Sequence, residues 1–254
     1  MKFCIAWNNS LENGGQEVRI CELNNDGFYV VEYPELGKRE ILRSLDFRFE
    51  ILFEVGSYAF LDCYYREAVS SFAAALERFY EFYIEVAVRA NKVQPEEYNQ
   101  CWKHLKNQSE RQLGAFIAAY TITRTTCPQL LSDDWRAFRN NVVHKGEIPD
   151  KMRTLEFGEE VGRLIIMDMR YLLDTHRKEV AAILSGQLET ANKLIPTEDK
   201  LHVDRLSTVY VANVLSHKDS PAFTGWSLED RLNLIRPIWL SASARFLRER
   251  SSTH

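Results

Sequence analysis

The chain has 254 residues, 45% of them hydrophobic and 27% charged, with a formal net charge of −4. That is enough for one large or two modest domains of an ordinary soluble globular protein. The charge argues against a protein that coats long nucleic acid nonspecifically, yet it is compatible with an enzyme that clamps one phosphate in a local basic cleft.

No window approaches the apolar run that a membrane span needs. The start, Met1-Lys2-Phe3-Cys4-Ile5-Ala6-Trp7, is too short and too quickly polar for a signal peptide, so a cytoplasmic protein without a membrane partner is expected. Residues 1–43 read as a β-rich N-terminal extension. Phe3 to Trp7 suits one strand, and Val18 to Leu23 and Phe28 to Tyr33 flank Asn24-Asn25-Asp26-Gly27. Asp-Gly between β-branched and aromatic runs predicts a hairpin, giving a three-stranded piece too small to stand alone. Such a piece would serve as a lid on helices, or as a dimerisation or substrate-recognition appendage. Pro34 to Lys38 reads as a turn.

From Ser44 the texture becomes helical. Asp46 to Asp62 is rich in Phe, Leu and Ile, with Gly56 its weak point. Tyr64 to Asn91 predicts a long amphipathic helix with Val69, Phe72, Leu76, Phe79, Tyr83 and Val86 on a core face. Glu77 and Glu81, one turn apart, read as solvated glutamates, although they are placed to orient site groups. Pro95 opens the next helix, which holds Trp102 and Leu105, with His104 read as a surface or satisfied histidine. The pattern continues through Leu113, Phe116, Ile117 and Tyr120 after a bend near Asn107-Gln108-Ser109. Thr125-Thr126-Cys127-Pro128 breaks it.

Next comes the stretch that carries chemistry, Trp135 to Pro149. Ser132 reads as an N-cap, Asp133 and Asp134 favour the positive end of a helix, and Gly146 reads as a C-terminal cap ahead of Pro149. One short helix therefore places His144 in its last turn. Trp135, Phe138 and Val142 form its apolar stripe. Asn140 and His144 are four apart, so the amide can orient the imidazole. Arg139 and His144 are five apart, and in an ideal helix their directions diverge by roughly 140°. They converge on one substrate if the helix loosens near His144, if Arg139 arches over, or if a second chain completes the site.

Met152 to about Leu184 predicts one further helix with Ile165, Ile166, Met169, Leu172 and Leu173 on its core face. Gly158 and Gly162 allow close approach there, and Ser185-Gly186 closes it. Residues 186–254 form a mostly helical C-terminal extension. Leu206 to Leu215 suits helix or strand. A helix starts at Ser227-Leu228-Glu229-Asp230 and meets Pro237, and Trp239 to Arg250 forms a last helix. His202 and His217 stand alone. Cys4, Cys21, Cys63, Cys101 and Cys127 are scattered, so neither zinc nor a disulfide framework is indicated, no metal or cofactor is expected, and the thiols should be reduced and mostly buried.

Arg139-Asn140-Asn141-Val142-Val143-His144 resembles the Arg-Asn-x-x-x-His motif of the HEPN superfamily (higher eukaryotes and prokaryotes nucleotide-binding). Its setting, the end of a helix in an all-α region followed by Lys-Gly-x-Ile-Pro, adds to the likeness. Ala75-Leu76-Glu77-Arg78-Phe79-Tyr80-Glu81 also resembles the long second helix of HEPN bundles. Gly146 stands where toxins paired with nucleotidyltransferase antitoxins carry a Tyr, so regulation through that Tyr is not implied. The resemblance implies a mainly α protein with an up-down HEPN-like bundle over 44–185. It further implies metal-independent endoribonuclease activity in a homodimer, as a toxin or anti-phage defence effector with RNA as substrate and a neutralising or sensor protein as a possible partner. His144, Arg139 and Asn140 would be catalytic, and Arg136 and Lys145 would bind RNA. A non-catalytic HEPN module for dimerisation, nucleotide binding or protein interaction is the alternative.

Overall fold

The computed structural model describes residues 2–7, 17–33, 38–197, 203–205 and 226–251. They are mainly helical and fall into two compact units. One takes the described residues within Met1–Phe47, Leu184–Val211 and Asp230–His254; the other takes those within Arg48–Ile183 and Ala212–Glu229. Leu206 to Leu215, His202 and His217 lie outside the described residues. No helix among the described residues is long and apolar enough to cross a membrane.

The first unit holds two small sheets. Strands β1 (Lys2–Trp7) and β2 (Glu17–Glu22) pair antiparallel, with Lys2 opposite Glu22. Strand β3 (Phe28–Tyr33) pairs antiparallel with β4 (Lys38–Arg43), and β5 (Val203–Arg205) joins β4 in parallel. The expected hairpin between β2 and β3 is therefore not a paired one. Asn24 to Gly27 does turn the chain: Asn24 Oδ1 accepts from Asp26 N–H at 2.9 Å, and Gly27 has φ +75°. But the Asn24 amide donates to the Phe28 carbonyl at 3.0 Å, and Ser44 N–H donates to the Gly27 carbonyl at 2.9 Å. The groups that would start a β2–β3 ladder are already used, and β3 finds its partner in β4 instead. Phe28 and Ile41 then bury against Ala191 and Ile195. Strand β5 adds a short strand to the mostly helical reading of 186–254.

The second unit holds α1 (Arg48–Leu61), α2 (Tyr65–Ala90), α3 (Pro95–Leu105), α4 (Ser109–Arg124), α5 (Asp133–Lys145) and α6 (Lys151–Thr175); α7 (Arg177–Leu194) begins in it. Helix α2 is the axis, packing on α1, α4, α5 and α6. Its apolar stripe, Val69, Phe72, Leu76, Phe79, Tyr83 and Val86, is buried as the periodicity requires. Each large side chain so buried contributes about 1.5–3 kcal/mol of transfer free energy. Gly56 is not a weak point of α1. A Cβ there would fall 2.7 Å from the Phe72 ring, and a Cβ on Gly158 of α6 would fall 2.7 Å from the opposite edge. Phe72 is thus clamped between two glycines that only the bare backbone permits.

Two helix boundaries differ from expectation. The helix expected from Met152 to Leu184 breaks at His176, whose N–H still bonds the Leu172 carbonyl at 2.7 Å. Helix α7 then runs straight through Ser185-Gly186, because a glycine costs an exposed helix only about 1 kcal/mol. Likewise α8 (Leu228–Ser251) continues through Pro237 as a single element. The cysteine expectation also fails for three of the thiols. Cys63, Cys101 and Cys127 are free but exposed: Cys63 and Cys127 lie between helices, and Cys101 lies on α3, which buries no residue.

Candidate functional site

Helix α5 is built by its ends. The Ser132 Oγ accepts from Trp135 N–H at 3.3 Å, and Asp133 and Asp134 occupy the first turn. At the other end Gly146 takes φ +75°, and its N–H and that of Glu147 both reach back to the Asn141 carbonyl. The Gly146 bond spans five residues, wider than an α turn, so the chain relaxes just past His144. The apolar face is pinned to α6. Phe138 and Val142 are buried, Trp135 packs on Phe157 with ring centroids 5.8 Å apart, and the Arg153 guanidinium lies 4.2 Å above the Trp135 ring. The polar face is thereby turned toward α2 and the α3–α4 connection.

A cleft of roughly 590 Å³ opens there, bordered by Arg139, Asn140, His144 and Lys145 of α5, by Glu77 and Arg78 of α2, and by the stretch from Lys106 to Glu110. This lies within the range of small-molecule and substrate sites, about 300–1,000 Å³. Arg139 and His144 border it together within one chain, despite the divergence of an ideal helix. Arg139 gets there by leaning across α5: one terminal nitrogen donates to Glu77 on α2 and the other donates to Asn140 Oδ1 at 3.0 Å. The second chain is not needed to bring these two side chains to one cleft, and Glu77 is not the solvated glutamate it resembles in sequence.

The remaining donors matter. A guanidinium carries five N–H groups. The two bonds leave the Nε–H and one N–H on each terminal nitrogen of Arg139 for another acceptor. Asn140 spends its carbonyl oxygen on Arg139, which leaves its amide N–H groups to donate. His144 and Lys145 are exposed. Lys106 and Lys145 make no ion pair among the described residues, whereas Arg78 is committed to Glu81 at 2.8 Å and to Gln112 at 3.2 Å. Burial raises the Glu81 carboxyl above its ordinary range, against the pull of Arg78 and Arg48. Arg136 does not border this cleft. It pairs with Asp133 and lines a neighbouring recess. Arg139, Asn140, His144 and Lys145 are brought together, and Arg136 stands next door.

Several residues of the site escaped the sequence reading. Gln112 is buried and donates to the Lys106 carbonyl at 2.9 Å while accepting from Arg78, so it fastens the α3–α4 connection to α2 and sets the far wall. The neighbouring recess, roughly 250 Å³, is walled by Leu76, Tyr80, Leu113, Leu130 and Leu131. Tyr80 stacks on Phe116 at 4.2 Å between centroids. Burial, and then the charges of Asp168 and Glu77, push its hydroxyl up, so it stays protonated. A faint signal existed: Leu76, Glu77 and Tyr80 share one face of α2 at spacings of one, three and four. With this geometry in hand, comparison with known proteins adds no relative: no family model, no curated protein and no solved structure matches the chain.

Proposed function

We propose that the protein is a metal-independent endoribonuclease of HEPN type that cuts RNA by attack of the 2′-hydroxyl. The observation that carries the reading is the shared cleft, in which Arg139, Asn140, His144 and Lys145 of one short helix face the same space. RNA supplies its own nucleophile. In the step, the 2′-oxygen loses its proton and bonds to phosphorus, the bond to the 5′-oxygen breaks, and that oxygen takes up a proton. The products are a 2′,3′-cyclic phosphate and a 5′-hydroxyl. His144 is the proton-transfer group, because an imidazole can both accept and donate a proton. Arg139 donates its spare N–H groups to the crowded phosphate and gains strength as charge builds. Lys145, with Lys106, draws the phosphodiester in. Two subunits facing each other would supply one His as base and one as acid, which keeps the homodimer in the proposal. The cellular role, a toxin or anti-phage effector held by a neutralising or sensor protein, follows from the resemblance.

One observation favours a second reading, a non-catalytic module for nucleotide binding or protein interaction. Arg139 already carries a carboxylate counter-ion, Glu77, so a phosphate must share the guanidinium or displace the acid. The test separates the two. Full-length protein incubated with RNA in chelator should yield ends bearing 2′,3′-cyclic phosphate, and substrates lacking the 2′-hydroxyl should survive. His144→Ala should lower the rate by about 10² to 10⁴-fold while leaving the fold intact. Arg139→Lys should not restore it, since an ammonium cannot reproduce the planar fork. Dependence on added magnesium, or full activity in His144→Ala, would leave the binding module in front.

A further inference from the structure

The cleft and the recess adjoin. Glu77, Ser109, Glu110, Gln112, Arg139 and Asn140 line both, so the two lie on either side of one set of side chains. Their chemistry differs sharply. The cleft offers cations to an anion. The recess offers leucine side chains and the Tyr80 ring, and its roughly 250 Å³ is below the range of a complete ligand site, which suits a single ring system rather than a whole ligand. We infer that the recess is a nucleobase subsite: it seats the ring of a nucleotide whose phosphate lies on Arg139 in the cleft. The inference rests on the proposed site for the phosphate but not on its catalytic competence.

The recess also has an edge with a preference. Glu110 is exposed, and among the described residues its carboxylate meets only the Ser109 hydroxyl, at 3.5 Å, so it is available to accept. Glu77 adds a second carboxylate at the same wall. Acceptors select bases that present exocyclic amino donors, as a carboxylate does with cytosine N4, and they disfavour uracil, whose carbonyl oxygens meet like charge. Arg136 at the margin supplies a planar cation on which a ring can stack. Tyr80, buried and stacked on Phe116, cannot swing away, so the floor is preformed. The occupant is thus a base bearing amino groups, guanine and cytosine before uracil.

The experiment is equilibrium binding of guanosine monophosphate, uridine monophosphate and ribose 5-phosphate to the full-length protein by calorimetry, run beside cleavage of RNAs that differ in one base. Guanosine monophosphate should bind about tenfold or more tighter than either uridine monophosphate or ribose 5-phosphate. Leu131→Phe, which fills the recess, should bring all three ligands to the affinity of ribose 5-phosphate. Glu110→Gln, a change at an exposed position, should shrink the guanosine-to-uridine ratio even if Leu131→Phe unfolds. The inference falls if ribose 5-phosphate binds as tightly as guanosine monophosphate, if none of the three binds, or if Glu110→Gln leaves the ratio unchanged. Base-dependent binding without any RNA cleavage would keep the subsite and sink the ribonuclease. Cleavage indifferent to the base would do the reverse.

Discussion

Arg124 with Asp168 and Arg139 with Glu77 are arginine–carboxylate pairs that join helices in the second unit, and they sit in opposite surroundings. Arg124 on α4 meets Asp168 on α6 at 2.7 Å. Its guanidinium lies over the rings of Tyr120 and Tyr171 at 4.8 and 4.2 Å, and the Tyr171 hydroxyl donates to the Thr123 carbonyl at 2.9 Å. The Asp168 side chain is only 9% exposed, and burial outweighs Arg124 and the Tyr120 hydrogen bond, raising the carboxyl to about 6. The second pair, Arg139 with Glu77, is 25% and 31% exposed and faces a cleft. No aromatic ring covers its guanidinium among the described residues, and three of its five N–H donors are uncommitted. The same two functional groups thus make a fastening in one place and a poised receptor in the other. What separates them is how much of the arginine is spent.

The comparison breaks most visibly through pH. The folded-state pKa of Asp168, about 6, lies above the usual 3.8. The folded protein therefore holds a proton that the unfolded chain releases between those values, so this group's stabilisation is present in full below about pH 4 and is lost as pH rises through about 6. The loss is on the order of 3 kcal/mol, because a tenfold change in proton affinity is worth about 1.4 kcal/mol. Asp168→Asn should flatten that part of the curve. Urea unfolding of both proteins at pH 4, 5, 6 and 7 measures the difference, and parallel curves would mean that Asp168 is not the buried acid it is taken to be. Cleavage by Asp168→Asn should match wild type wherever both are folded.

The open pair should answer differently. Glu77→Gln removes a counter-ion but keeps an acceptor, so stability should change by no more than about 1 kcal/mol, the range of exposed pairs. In cleavage assays kcat should fall about tenfold, because the guanidinium is held less firmly against the transition state. KM for RNA should fall as well, because Arg139 becomes a freer cation, and the fall should vanish in high salt. A fall in kcat with an unchanged KM would mean that Glu77 does not compete with the phosphate.

Only part of this contrast could be read from the chain. The α5 boundaries were legible because capping is local: Ser132, the two aspartates and Gly146 all lie within the helix or one residue beyond it. The α2 core face was legible because its period is. Glu77–Arg139 was not, since the partners are 62 residues apart and a glutamate on an amphipathic helix is most often solvated. The shared cleft was not either. An ideal helix separates Arg139 from His144, and only a partner on another helix draws the arginine over. The β2–β3 hairpin misled for the converse reason. Its turn residues were real, but the strand pairing was decided by hydrogen bonds from Asn24 and Ser44 that no alternation pattern encodes.

Gly146 and Gly186 allow the finest cut. In sequence both look like helix caps, but only Gly146 acts as one. It holds φ +75° at the end of the helix that carries the open pair, whereas Gly186 lies inside α7 with nothing within 4 Å of an added Cβ. Gly146→Ala forces a left-handed conformation on a residue with a Cβ, which should cost about 1 kcal/mol or more. Because the strain falls two residues from His144, cleavage should drop before the fold does. Gly186→Ala should instead stabilise by about 0.5–1 kcal/mol through helix propensity, with no effect on cleavage. Thermal melts of the two variants should therefore move in opposite directions. Equal shifts, or a Gly146→Ala protein that melts lower yet cuts at the wild-type rate, would show that the geometry of the α5 terminus does not set the position of His144.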